Sequence, residues 1–245
     1  YSIFKIMRDE FNFNFENFKY FAGHSLGEYS ALVCSDSLKF DDALYLLHER
    51  GKSMQDAVPV GKGSMIAVLG TSINQLNDLI KKISNKNGIC EIANDNADGQ
   101  IIISGEKETV SLFQTLLKEN KIKSIPLKVS APFHCSLMKS AADNMKEKIN
   151  KTTFQKPKIE IIHNVTTKSE NDVNKIKNLL IEQVYSSVRW RESMINMFDA
   201  GVLNFVEIGP GKALTGMIKR TLKNVNCFSI NEITDIKNLN NEFRK

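Results

Sequence analysis

The hydrophobic and polar positions of this chain follow two different periods along its 245 residues. Apolar residues spaced by three and four predict helices, which cover residues 1–11, 28–33, 41–58, 72–83, 107–118, 136–149, 172–184, 191–200 and 212–222. Short apolar runs bounded by turn residues predict strands, which cover residues 18–22, 64–69, 89–93, 100–104, 122–129, 159–162, 203–208 and 227–230. Strands that alternate with helices favour an α/β fold, with a mostly parallel sheet covered on both faces.

One segment departs from simple alternation. Residues 60–128 open on a flexible Gly-Lys-Gly joint and then follow the order β-α-β-β-α-β, with a turn at residues 94–99 between the two middle strands. This is the order of the ferredoxin-like split unit. We therefore predict a large α/β domain made of residues 1–59 and 129–245, and a small ferredoxin-like domain of residues 60–128 inserted into it. The cleft between the two domains is the predicted site.

A serine stands at the first strand–helix connection, within the Gly-x-Ser-x-Gly pattern from Gly23 to Gly27. In a strand–turn–helix context this pattern is the nucleophile elbow of hydrolase-like domains. A tight turn would explain both glycines, because side chains flanking Ser25 would clash. The main-chain N–H of Leu26 is the natural first donor to an oxyanion that forms beside Ser25.

The composition is that of an ordinary globular protein and does not by itself identify a function. Hydrophobic residues make up 42% and charged residues 25% of the chain, which are ordinary globular values. No apolar run reaches the length of a membrane span, and the net charge of +5 fits either an acidic partner or a solvated basic surface. Four scattered cysteines, without the spacing of metal ligands, predict reduced thiols, a cytoplasmic location and no metal site. The four cysteines are Cys34, Cys90, Cys135 and Cys227.

A serine is a poor nucleophile unless a base takes its proton, so the four histidines are the candidates for that base. His134 lies on a loop at the predicted domain junction, just ahead of a helix. His24 adjoins the serine, but neighbouring side chains on a strand point to opposite faces, which favours a packing role. His48 on a helix and His163 at a buried strand fit structural roles. Position alone leaves the choice of base open.

Arg50 lies on the long helix that follows the elbow. We assign the apolar side of this helix to Leu44, Leu47, Gly51 and Met54, which recur at helical spacing. The ordinary interpretation of a single arginine on a helix is a surface charge. The pattern by itself therefore gives Arg50 no function.

Four segments of the sequence together resemble the malonyl-CoA:acyl carrier protein transacylases. They are GHSLGEYSAL at residues 23–32, RGKSMQ at residues 50–55, SAPFHC at residues 130–135 and EIGPG at residues 207–211. The segments follow the order of that family and span nearly the whole chain, and the inserted ferredoxin-like domain agrees with it. The resemblance is closer to the discrete type II enzyme than to a domain of a megasynthase.

The resemblance implies a role for each site residue. Ser25 would be the acyl-accepting nucleophile, and His134 the general base and then the general acid. Arg50 would hold the free carboxylate of the malonyl group through two parallel hydrogen bonds. A main-chain carbonyl near Gln183 would orient the histidine. Phe133 would crowd the α-carbon and disfavour methylmalonyl units.

The implied reaction is a ping-pong transfer. A malonyl group would pass from malonyl-CoA to the serine, and from there to the phosphopantetheine thiol of acyl carrier protein. Fatty acid biosynthesis is the expected pathway and polyketide synthesis the runner-up. We expect no cofactor, because malonyl-CoA is a substrate, and no nucleic-acid or membrane partner. We also expect the chain to be a monomer.

The resemblance fails at one place. Members of the family begin with a strand and a Gly-Gln-Gly-type loop upstream of the elbow, and the glutamine of that loop supplies a second oxyanion donor. Residues 1–24 contain no counterpart. We therefore expect the chain to be a fragment.

Two other interpretations remain open. An α/β-hydrolase, acting as an esterase or thioesterase, uses the same elbow, but its histidine comes late in the chain, whereas His163 is the last one here and Arg50 would be unexplained. A non-catalytic carrier-protein-binding module is the second alternative. The basic residues that could dock an acidic carrier protein are Lys139, Arg189, Arg191, Lys219 and Arg220.

Overall fold

The computed structural model describes residues 1–243, with the side chains of residues 84–87 and 243 excepted. Within this range the fold is α/β. The helices are α1 (Ser2–Asp9), α2 (Gly27–Cys34), α3 (Phe40–Asp56), α4 (Ile73–Asn87), α5 (Lys107–Glu119), α6 (Lys139–Lys151), α7 (Val173–Gln183), α8 (Trp190–Asp199), α9 (Ala213–Thr221) and α10 (Ile233–Phe243). The strands are β1 (Tyr20–Ala22), β2 (Gly63–Leu69), β3 (Cys90–Ala97), β4 (Gln100–Glu106), β5 (Lys123–Pro126), β6 (Glu160–Ile162), β7 (Asn204–Ile208) and β8 (Asn226–Ile230). Helix α10 was not predicted from the sequence.

Two pairs of strands are parallel. β1 pairs with β6, with Tyr20 opposite Glu160, and β7 pairs with β8, with Asn204 opposite Asn226. The predicted parallel direction is confirmed, but the expectation of one sheet is wrong: within residues 1–243 these strands form two separate two-stranded sheets. The apolar runs indicated burial, and much of that burial is against aromatic side chains instead of a neighbouring strand. Phe21 of β1 packs in a cluster with Phe4 and Phe15.

Residues 63–126 contain a four-stranded antiparallel sheet in the order β3-β4-β2-β5, with α4 and α5 packed against it. The elements follow the predicted order β-α-β-β-α-β. The predicted turn is wrong over most of its length, because β3 continues to Ala97. Asn94, Asp95 and Asn96 are buried in this strand, and the side chains of Asp95 and Asn96 bind Arg191 and His24, which lie outside the four-stranded sheet.

Helix α3 packs on α6 through a face that agrees with the predicted one at Met54 and differs from it at Leu44 and Gly51. Ala43, Leu46 and Met54 are buried, whereas Leu44 is 52% exposed. Apolarity alone cannot rank the leucines of this helix, because its buried face is decided by contact with α6. Arg50 lies on the buried face, and this places its guanidinium inside the protein.

Strand β3 connects the four-stranded sheet to the rest of the chain. Asp95 donates its main-chain N–H to the carbonyl of Val188 at 3.0 Å, and Val188 donates to the carbonyl of Ala93 at 2.9 Å. Nε of Arg191 also donates to the buried carboxylate of Asp95, whose two oxygens lie 2.9 and 3.0 Å away. The helices over residues 1–243 include none that is both long and apolar enough to cross a bilayer.

Candidate active site

Ser25 connects β1 to α2 in a left-handed conformation, with φ of +52°. Close contacts restrict only one of the two glycines that flank Ser25. A Cβ atom on Gly23 would lie 1.9 Å from the carbonyl oxygen of Gly27, so this position requires glycine. A Cβ atom on Gly27 would meet nothing within 4 Å, so the clash predicted there is wrong. Gly27 already belongs to α2, whose first turn faces open space at that point.

The hydroxyl of Ser25 is hydrogen-bonded to His134. Oγ of Ser25 lies 2.7 Å from Nε2 of His134, and Nδ1 of His134 lies 2.9 Å from the main-chain oxygen of Gln183. Since a carbonyl oxygen only accepts, Nδ1 carries the ring proton, and Nε2 is free to accept the proton of the serine hydroxyl. Burial and the nearby charge of Arg50 lower the pKa of His134 to about 3, which keeps the ring neutral.

Arg50 is only 7% exposed, so its interpretation as a surface charge is wrong. Its Nη2 donates to Oγ of Ser25 at 3.0 Å and to Oε1 of Gln183 at 3.2 Å. Its Nε has no hydrogen-bond partner among the described residues. Burial lowers the pKa of Arg50, and the nearby Tyr29 and Glu28 oppose this effect. A buried cation with an unused N–H beside a nucleophile suits an anionic group.

The two main-chain N–H groups at the turn have different roles. The N–H of Ser25 donates to Oδ1 of Asn164 at 2.7 Å, so it is already occupied. The N–H of Leu26 takes part in none of the hydrogen bonds found within the described chain. An N–H directly after the serine is well placed to donate to an oxyanion. The side chain of Leu26 is 57% exposed beside it.

A buried polar network lies beneath the serine, and the sequence did not predict it. The carboxylate of Glu28 is 1% exposed and accepts from Nδ1 of His163 at 2.6 Å, from the main-chain N–H of Asn164 at 3.0 Å and from Nε2 of Gln183 at 2.8 Å. The side chain of Asn164 donates to the carbonyl of Gly23 at 2.8 Å. One signal was available: Glu28 is the only charged residue in α2.

The remaining candidates make no hydrogen bond to the serine hydroxyl in the part of the chain that the structure describes. Nε2 of His24 is 2.8 Å from Oδ1 of Asn96, and its ring is edge-on to Trp190, as expected of a packing residue. His48 is exposed on α3. Phe133 is half-buried and packs against the apolar clusters on both sides of its loop.

The basic residues considered for carrier-protein docking are not equally free. Arg191 pairs with Asp95, and its side chain is 21% exposed. Arg189 donates to the carbonyl of Val165 at 2.9 Å. The ammonium of Lys139 lies 4.8 Å from the centre of the Tyr185 ring. Arg191 is therefore mainly an internal ion-pair partner, whereas Lys219 and Arg220 are exposed on α9, where Arg220 donates to Oε1 of Gln100 at 3.0 Å.

An α/β fold that holds a serine, a neutral histidine and a buried arginine within hydrogen-bonding distance has the equipment for acyl transfer through a serine. Comparison with known protein families narrows this class of enzyme to one family. Residues 18–242 match the family model described as the acyl transferase domain. The chain belongs to this family.

Relatives and solved structures agree with this assignment. The chain is 42% identical over 212 residues to the malonyl CoA-acyl carrier protein transacylase of Bacillus subtilis, an alignment that covers 86% of this chain and 67% of that protein. It superposes on the acyl-carrier-protein-S-malonyltransferase of Bartonella henselae with a TM-score of 0.95 and 36% identity, over 100% of this chain and 78% of the other. A complex of a type II PKS acyl-carrier protein with its malonyl-transacylase matches with a TM-score of 0.91 and 35% identity, over 96% and 75%.

Proposed function

We propose that this chain is an acyltransferase that moves a malonyl group from malonyl-CoA to the phosphopantetheine thiol of acyl carrier protein and supplies fatty acid biosynthesis. The observation that carries the proposal is the buried guanidinium of Arg50, 3.0 Å from Oγ of Ser25. A cation in that position suits an acyl group that itself ends in a carboxylate. The name of the Bacillus subtilis relative specifies malonyl-CoA and acyl carrier protein, and that of the Bartonella henselae enzyme specifies malonyl transfer to acyl carrier protein.

The first half-reaction follows from the hydrogen bonds of the site. Oγ of Ser25 attacks the thioester carbonyl carbon while Nε2 of His134 takes the hydroxyl proton. The N–H of Leu26 donates to the oxyanion of the tetrahedral intermediate. When the carbon–sulfur bond breaks, the departing thiolate takes the proton from His134 and leaves as coenzyme A. The malonyl group is now an ester of Ser25.

The second half-reaction reverses these roles. Nε2 of His134 takes the proton of the phosphopantetheine thiol, and the thiolate attacks the ester carbonyl carbon. Collapse of the second tetrahedral intermediate breaks the bond to Oγ of Ser25, which regains its proton from His134. The main-chain carbonyl of Gln183 keeps the histidine in the required tautomer throughout. The result is ping-pong transfer, with no cofactor taking part.

We also propose two finer features of the fold, a nucleophile elbow and an inserted small domain. We interpret the turn at Ser25 as a hydrolase-like nucleophile elbow, supported by the left-handed serine between β1 and α2. We interpret residues 60–128 as a ferredoxin-like small domain inserted into a large domain of residues 1–59 and 129–245. The sheet order β3-β4-β2-β5 supports that interpretation.

The alternative functions account for fewer of these contacts. An esterase or thioesterase would use Ser25 and His134 but would leave the buried Arg50 without a purpose. A binding module without catalysis would not need a hydroxyl 2.7 Å from an imidazole nitrogen. Phe133, beside the histidine, keeps its proposed role of disfavouring methylmalonyl units.

Intact-mass spectrometry after brief mixing with malonyl-CoA tests the proposal. The chain is expected to gain one malonyl group, and Ser25→Ala is expected to gain none. Ser30→Ala, at a serine inside α2 five residues after Ser25, is the matched control and is expected to react like the parent chain. Addition of phosphopantetheine-loaded carrier protein is expected to discharge the adduct. An adduct that water clears equally fast without carrier protein would favour the hydrolase, and no adduct on a folded chain would contradict transfer.

A further inference from the structure

The side-chain amide of Gln183 has one chemically sensible orientation in this site. Its Nε2 faces three acceptors: the carbonyl of Ser25 at 3.0 Å, Oε2 of Glu28 at 2.8 Å and Oδ1 of Asn164 at 3.3 Å. Its Oε1 faces a donor, Nη2 of Arg50, at 3.2 Å. A flipped amide would oppose donor to donor at the arginine and acceptor to acceptor at the other contacts.

Glu28 is the strongest of the groups that fix this orientation. Its carboxylate provides the shortest of the three contacts to Nε2, and a hydrogen bond to an ionised acceptor is about twice as strong as a neutral one. The carboxylate cannot turn away, because His163 and the main-chain N–H of Asn164 hold its two oxygens. Its burial at 1% exposure removes competition from solvent.

The buried carboxylate of Glu28 therefore holds the amide of Gln183, and that amide in turn holds the buried guanidinium of Arg50. We propose that Glu28 is a positioning residue for acyl-group selection: by holding the amide of Gln183, it aims the guanidinium of Arg50 at the carboxylate of the incoming acyl group. Glu28 itself does not touch the substrate. This inference rests on the function proposed above and adds a residue to it.

The proposal predicts a change in selectivity and not only in rate. An acetyl group has no carboxylate for Arg50 to hold, so its transfer to Ser25 depends little on how the guanidinium is aimed. A malonyl group depends on it directly. Loss of the contact between Glu28 and Gln183 should therefore lower the ratio of malonyl to acetyl loading. A merely structural role for Glu28 would lower both rates in parallel and leave the ratio unchanged.

The experiment measures acylation of Ser25 by malonyl-CoA and by acetyl-CoA, each alone, in the parent chain and in Glu28→Gln. The ratio of the two rates is expected to fall by about fivefold in the variant, because the neutral amide oxygen of a glutamine accepts the hydrogen bond from Gln183 less strongly than a carboxylate does. Glu207→Gln is the matched control. It makes the same replacement at a half-buried carboxylate that accepts from the N–H groups of Leu214 and Thr215, at 3.0 and 2.7 Å. Its ratio is expected to equal that of the parent chain.

A second variant covers the case in which Glu28→Gln does not fold. Gln183→Met removes the amide but keeps the main-chain carbonyl that holds His134, and it should lower the ratio in the same direction. A ratio that stays within about twofold of the parent in a folded Glu28→Gln, or in Gln183→Met, would overturn the inference while leaving the malonyl transfer intact. A parent chain that acquires no malonyl group would overturn the proposed function and this inference with it.

Discussion

The two glycines of the Gly-x-Ser-x-Gly segment should respond in opposite ways to the same added methyl group. In Gly23→Ala the new Cβ would lie 1.9 and 2.0 Å from the carbonyl oxygen and carbon of Gly27 and 2.6 Å from the nitrogen of Glu28. All three are backbone atoms, so no side chain can rotate away to relieve the contact. In Gly27→Ala the new Cβ would meet nothing within 4 Å.

These contacts set the expected magnitudes. Overpacking typically costs about 1–3 kcal/mol, and a clash with backbone belongs at the upper end, so we expect Gly23→Ala to lose about 3 kcal/mol of unfolding free energy. For a chain of this size that corresponds to a fall in Tm of about 6–12 °C. Gly27→Ala adds helix propensity in α2 without strain, worth about 0.5–1 kcal/mol, and should raise Tm by about 1–4 °C.

Differential scanning calorimetry of both variants beside the parent chain measures these shifts. Malonyl loading should also fall in Gly23→Ala, because the clash lies at the start of α2, between the N–H of Leu26 and the carboxylate of Glu28. The reasoning is refuted if Gly23→Ala melts at the parent temperature, or if Gly27→Ala is destabilised as strongly as Gly23→Ala. Either result would mean that the tight approach lies elsewhere in the turn.

Four further predictions concern Arg50, His134 and Phe133. Arg50→Lys keeps the charge but loses the planar fork, so malonyl loading should fall by about tenfold or more while acetyl loading falls much less; equal losses in the two mass-spectrometric rates would contradict a carboxylate clamp. The pKa of His134 is lowered to about 3, so the acylation rate should show no acidic limb near pH 6.5. An unfolded chain protonates this histidine as pH falls from about 6.5 to 3 while the folded chain does not, so His134 lowers stability across that window, and His134→Gln should flatten the decline measured by urea titration. Phe133→Ala should raise the rate with methylmalonyl-CoA relative to malonyl-CoA, by up to about a hundredfold for one relieved methyl contact, and an unchanged ratio would remove Phe133 from substrate selection.

Helices and strands were predictable from the sequence where the residues of a single segment determine its conformation. The helical spacing at residues 107–118 is confirmed by α5, and the apolar run at residues 203–208 by β7, because periodicity and turn residues act locally. Residues 94–96 were predicted as a turn because Asn and Asp favour turns. They lie in β3 because Asn96 meets His24 and Asp95 meets Arg191, contacts that no local pattern contains.

The motif residues of the site were predictable from the sequence, but the buried polar residues that hold them in place were not. Ser25, His134 and Arg50 stand in recognisable segments, and the structure brings all three together. The hydrogen bonds of Glu28 to His163 and Gln183 join residues 135 and 155 positions apart. Burial of charged and amide side chains costs free energy unless partners are present, and the sequence does not say where those partners lie.

The parallel pairing of β1 with β6 has a consequence for the order in which the chain folds. The contact between Ser25 and Asn164, next to that pairing, joins positions 139 residues apart. Closing an unstructured loop of that length costs about 4 kcal/mol of chain entropy. The sheet over residues 63–126 lies inside the loop and brings β2 beside β5, which shortens the remaining span. We therefore expect that sheet to form first, so that weakening its core around Phe113 would slow assembly of the serine site without touching it.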